Sequence, residues 1–140
     1  MESFEITIVA PIERVWAVYT DVARWPEWTE SVAAAEVLTP GPLALGSNVR
    51  IKQPRLPRVT WTVTELDPGR RWVWSNDSPG AHTRAGHELT SADDGGTRAR
   101  LWIDQHGAIG AAVGRLARGL TRRYLRMEGE GLKRRSERPL

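Results

Sequence analysis

The sequence predicts an α+β domain in which a helix packs on an antiparallel sheet. Two observations carry this. From Phe4 to Gln105 apolar residues recur mostly at every second position, in short runs divided by Pro, Gly, Asn and Asp. After Gly107 the period changes to three and four residues and keeps that spacing for about five turns. No internal repeat and no linker divides the chain, so residues 1–140 are expected to form one domain, long enough for a real core.

The elements follow in order. Phe4, Ile6 and Ile8 alternate with Glu5 and Thr7, the pattern of a half-buried first strand. Pro11 suits the first turn of a helix, where its missing N–H has no helical partner to lose. Ile12, Val15, Trp16 and Tyr19 then share one helical face. Asp21 is placed to cap a second short helix, which Trp25-Pro26 should close. Ala33 to Leu38 reads as a second strand, and Val49 and Ile51 lie on a third. Pro54 and Pro57 suit an edge or a bend. Val59 to Leu66 is rich in strand-forming Thr, Val and Trp. Asp67-Pro68-Gly69 is a turn, Arg71 to Ser75 a strand, and Asn76 to Gly80 a turn again. His82 to Thr90 and Thr97 to Gln105 are strands joined at Asp93-Asp94-Gly95-Gly96. Ile109, Val113, Leu116, Leu120, Tyr124 and Met127 form the stripe of one long amphipathic helix, expected to fray near Gly129 and Gly131.

Ala10-Pro11, Val15-Trp16, Asp21 and Trp25-Pro26-Glu27-Trp28 resemble the opening signature of the START-like (SRPBCC, helix-grip) superfamily, in particular its polyketide cyclase/dehydrase branch. Val63 to Pro68, the strand around Trp74, Gly86-His87 and Gly96-Thr97 extend the similarity over nearly the whole chain. The resemblance implies a curved antiparallel sheet of about seven strands around a long C-terminal helix, with two short helices after strand one. It also implies a ligand cavity between sheet and helix. Members include cyclases, lipid carriers and plant allergens, so the function must be argued from the site.

Composition narrows the chemistry. Without cysteine, disulfides and thiolate chemistry are excluded. No apolar run has membrane-spanning length and no signal-peptide pattern is present, so a cytoplasmic location is expected. No serine sits in a nucleophile elbow, and Gly107 to Gly114 lacks the ending of a phosphate loop. His82 should lie opposite Gln105 or His106, but a third metal ligand at fixed spacing is missing, so neither metal nor cofactor is expected.

If Leu101 faces the helix, Gln105 does too, and Leu89 brings His87 inward with it. Trp61, Trp72, Trp74 and Asn76 fall on the inner face of neighbouring strands, and Leu120 and Tyr124 on the helix stripe. Together they would line a pocket with apolar walls and a few orienting polar groups, suited to a small hydrophobic molecule. Each also has an ordinary reading as core. His87 is the candidate acid or base of a cyclase-type reaction, since an unperturbed imidazole titrates near 6.5. Arg84 and Glu88 alternate out of phase with it and should point away.

Charge is uneven. Residues 110–140 carry nine Lys/Arg against three Asp/Glu, a net +6, while residues 1–109 carry −3. One reading is a solvated outer face with an unstructured basic tail at Lys133-Arg134-Arg135. The other is contact with a membrane, RNA or an acidic partner. The aromatics interleave with strands rather than with arginines, so DNA is not an expected partner. Association into a homodimer is left open.

Overall fold

A computed structural model of the protein describes residues 1–139. Seven strands form one curved antiparallel sheet: β1 (Glu2–Ile8), β2 (Ala34–Val37), β3 (Asn48–Lys52), β4 (Val59–Asp67), β5 (Arg71–Ser78), β6 (Ala81–Ser91) and β7 (Thr97–His106). Their order is β1-β7-β6-β5-β4-β3-β2. The first strand pairs with the last and the rest form a meander, so one hairpin connection after another builds the surface. Helix α1 (Ile12–Thr20) and a 3-10 helix (Val22–Glu27) follow β1; α2 (Ala108–Leu116) and α3 (Arg118–Glu137) follow β7. This is the α+β class that the sequence pattern predicted, in the helix-grip arrangement that the family resemblance implied.

The core lies between the sheet and α1, the 3-10 helix and the C-terminal half of α3. Val15, Tyr19, Trp25 and Leu132 meet Val63, Trp72, Trp74, Leu89 and Leu101 there. Aromatic rings dominate it. Tyr19 stacks on Trp25 at 5.5 Å and meets Trp72 edge-on at 4.8 Å, the arrangements that ring quadrupoles favour.

Several expectations are corrected. The C-terminal helix is two helices, broken at Ala117. The carbonyl of Gly80 accepts the N–H groups of Ile109 and Gly110, both at 3.0 Å, and so holds α2 on the β5–β6 turn while α3 follows β1. The expected fraying at Gly129 and Gly131 does not occur, and Lys133-Arg134-Arg135 is helical. These glycines allow close packing. A Cβ on Gly131 would lie 2.1 Å from the Trp28 carbonyl oxygen, and one on Gly129 would lie 2.6 Å from the Phe4 ring. Arg14 closes the helix end by donating to the carbonyls of Ser136 (2.5 Å) and Arg138 (2.6 Å), and a cation suits that end of a helix. β5 runs through Asn76 to Ser78, so the turn shrinks to Pro79-Gly80. The 3-10 helix passes through Pro26, and Asp21 makes no side-chain cap, pairing instead with Arg24 at 3.2 Å.

Candidate functional site

Strand register arranges the inner face of β5, β6 and β7 in three cross-strand rows. Trp72, His87 and Leu101 form the deepest row, Trp74, Ala85 and Ile103 the middle one, and Asn76, Thr83 and Gln105 the outermost. Ala85 in the middle row leaves space that a larger side chain would fill. The result is a cavity of about 230 Å³ between the sheet and the two C-terminal helices. Trp25, Trp61, Trp74, Ile103, Leu120 and Leu125 give it apolar walls.

Of the residues singled out from the sequence, Trp61, Trp74, Asn76, His87, Gln105, Leu120 and Tyr124 border this cavity. Trp72 and Leu101 do not. Both share a row with His87 but are fully buried, with Trp72 packed between the His87 ring, Trp16 and Tyr19. They belong to the core. Tyr124 donates its hydroxyl to the Pro54 carbonyl and so ties α3 to the β3–β4 loop. Gln105 packs against α2 at Gly114, where a Cβ would come within 2.5 Å of its Oε1.

His87 is buried among four aromatic rings. It stacks on Trp72 at 4.0 Å, with Trp74, Tyr19 and Trp25 at 4.9, 5.3 and 5.9 Å. Its Nδ1 lies 3.2 Å from the Trp72 carbonyl. A carbonyl only accepts, so Nδ1 carries the proton and Nε2 keeps its lone pair. Burial pulls the imidazole down to about 3, and the Trp72 hydrogen bond offsets only part of that. Burial thus favours the neutral imidazole over the acid–base group expected from an unperturbed histidine. At pH 7 it is a fixed hydrogen-bond acceptor.

Sequence reading missed Glu128, a cavity carboxyl that burial moves toward neutrality. It is buried on α3, borders the cavity, and accepts the hydroxyl of Tyr19. Burial pushes its carboxyl up to about 7, with the Tyr19 hydrogen bond opposing the shift. Burial, followed by the adjacent Glu128, in turn holds the Tyr19 phenol well above its usual range. The signal was present in the helical spacing, because Leu120, Tyr124 and Glu128 recur at four-residue intervals. Following the stripe to Met127 instead passed over it.

Arg84 and Glu88 point to the other face, as expected. Arg84 pairs with Glu65 at 2.5 Å, and Glu88 accepts the Trp102 indole N–H at 2.5 Å. His82 stands opposite His106 with ring centroids 6.5 Å apart, each bound to an aspartate, Asp77 and Asp104 respectively. Among the described residues no group of three or more His, Asp or Glu is arranged to hold a metal.

Residues 3–137 match the family model described as polyketide cyclase / dehydrase and lipid transport. The chain belongs to this family. A provisionally named polyketide cyclase of Streptomyces halstedii is 33% identical over 73 residues, which span 52% of this chain and 56% of that protein. Solved structures of similar fold cover nearly the whole chain. The Zhui aromatase/cyclase of Streptomyces sp. R1128 aligns over 98% of this chain and 93% of its own, with 20% identity and a TM-score of 0.78. A START superfamily protein of Mycobacterium smegmatis aligns over 97% and 96%, with 16% identity and a TM-score of 0.73. At such identities these likenesses establish the fold, and within this polyketide cyclase-like family the site must speak for the activity. Among the described residues no helix is long and apolar enough to cross a membrane.

Proposed function

We propose that the protein binds a small hydrophobic molecule, aromatic or lipid- or polyketide-like, in the cavity between its sheet and C-terminal helices. The observation that carries this is the cavity itself. Tryptophans wall it, His87 and Glu128 border it, and Asn76, Thr83 and Gln105 line its outer row. Its volume of about 230 Å³ falls just below the range of about 300–1,000 Å³ usual for small-molecule pockets, which favours compact ligands. Apolar walls supply affinity, and the few polar groups among the lining residues can orient one hydroxyl or carbonyl group.

The test is tryptophan fluorescence and thermal unfolding against aromatic polyketides, fatty acids and sterols. A ligand present at 100 times its Kd should stabilise the protein by about 2.7 kcal/mol and quench the cavity tryptophans. Silence from every class overturns the reading.

A second reading is a cyclase- or dehydrase-type enzyme, and Glu128 favours it. A carboxyl near 7 exists in both protonation states at neutral pH, as a group that gives and takes protons requires. His87 would then position the substrate. Glu128→Gln that binds ligand but turns over no cyclisable substrate supports catalysis, and unchanged turnover removes it.

A further inference from the structure

Helix α2 is built inside out. Its inner side is glycine: Gly110 lies on Ala81 and Gly114 on Gln105. Its large apolar side chains stay largely in solvent, with Ile109, Val113 and Leu116 56%, 47% and 87% exposed, although Ile109 touches Gly80 and Val113 borders the cavity mouth. At 3.6 residues per turn these three fall within an arc of about 60°. Single exposed leucines are ordinary, but three large apolar groups on one stripe of a nine-residue helix form a patch.

The patch sits where the cavity reaches the surface. Of the residues lining the cavity, Pro57 and Val113 are the exposed ones, so the opening lies between the β3–β4 loop and α2. Both sides are cationic. Arg55 and Arg58 flank Pro57, and Arg115 and Arg118 flank Leu116. No Asp or Glu occurs in residues 53–60 or 108–127. Arg118 and Arg122 share Glu2, whereas Arg55, Arg58 and Arg115 make no ion pair among the described residues.

We propose that this face docks the protein on an anionic lipid surface. The Ile109-Val113-Leu116 stripe enters the headgroup boundary, and Arg55, Arg58 and Arg115 meet lipid phosphates. The charge pattern selects this occupant. A second copy placed face to face would oppose two sets of unneutralised arginines. RNA would engage the arginines but would leave the aliphatic stripe in water, and α2 has no aromatic ring for a base to stack on. Docking in this way would hold the cavity opening against the bilayer. It requires no ligand in the cavity, so the two proposals fail separately.

The experiment is co-sedimentation of the full chain with vesicles of phosphatidylcholine, with and without about one-third phosphatidylglycerol. Wild type is expected to bind the anionic vesicles and to lose binding as salt rises. Leu116→Asp should lower partitioning at least about tenfold, because one apolar side chain no longer leaves water. Its melting temperature should stay that of wild type, since Leu116 is exposed. Arg115→Glu should weaken binding several-fold on anionic vesicles only. Absence of wild-type binding, or equal binding by Leu116→Asp, overturns the proposal. So does a wild-type dimer that Leu116→Asp dissociates, or an RNA oligonucleotide that binds wild type and Leu116→Asp alike where vesicles do not.

Discussion

Replacing Glu128 by Gln removes an ionisable group from the border of the cavity and leaves an oxygen to accept the Tyr19 hydroxyl. The folded-state carboxyl titrates near 7, against an ordinary value of 4.5. Between those values the folded protein holds a proton that the unfolded chain has released. Stability therefore falls as pH rises through this window, the reverse of a salt-bridged carboxylate. The full effect is about 3 kcal/mol, reached above pH 7 and absent below about pH 4.5. Wild type alone does not display it cleanly. His87, pulled down to about 3, acts in the opposite direction below pH 6.5, and the two slopes nearly cancel from about 6.5 to 4.5. The difference between wild type and Glu128→Gln isolates the carboxyl. Urea unfolding at pH 4.5, 6 and 8 should show the variant gaining about 3 kcal/mol on wild type across the series, or roughly 10 °C in Tm for 140 residues. Parallel curves at all three pH values would refute the assignment of a buried, neutral-pH carboxyl.

Other outcomes follow from the same geometry. His87→Phe keeps a ring on Trp72 but removes a group that must stay neutral. Wild type should lose up to about 5 kcal/mol from this group as pH falls from 6.5 toward 3, so the variant's acid-unfolding midpoint should lie lower. Equal midpoints in acid titration by circular dichroism would contradict it. Gly131→Ala drives a Cβ against the Trp28 carbonyl and should cost roughly 1–3 kcal/mol in chemical denaturation, and an unchanged midpoint would show the contact to be soft. Ala85→Phe fills the middle row of the cavity. It should abolish ligand-induced quenching while leaving the far-ultraviolet spectrum intact, and retained quenching would place the ligand elsewhere.

How much of the site was legible depends on which contacts set it. Inward orientation of Trp61, Trp74, Asn76, His87 and Gln105 follows from period-two alternation, because the side-chain direction of a strand is local. How deep each residue sits is not local. Trp72 and Trp74 look equivalent in sequence, yet register with β6 and β7 puts one in the packed core and the other on a cavity wall. The glycines misled for the same reason. Gly129 and Gly131 read as helix breakers from propensity, whereas Trp28 and Phe4, distant in sequence, press so closely on α3 that a Cβ would not fit.

The sequence by itself determined the α+β class, the succession of strand, short helices, strand meander and C-terminal helical segment, the inward face of the later strands and the kinship carried by Ala10-Pro11 and Trp25-Pro26-Glu27-Trp28, since these rest on periodicity and local motif. Only the tertiary structure decided which group titrates. An imidazole and a carboxylate begin with ordinary pKa values, and burial moves them in opposite directions because it disfavours whichever form is charged. His87 thereby leaves the neutral range and Glu128 enters it, an exchange set by the packing of α1, α3 and the sheet around the two side chains.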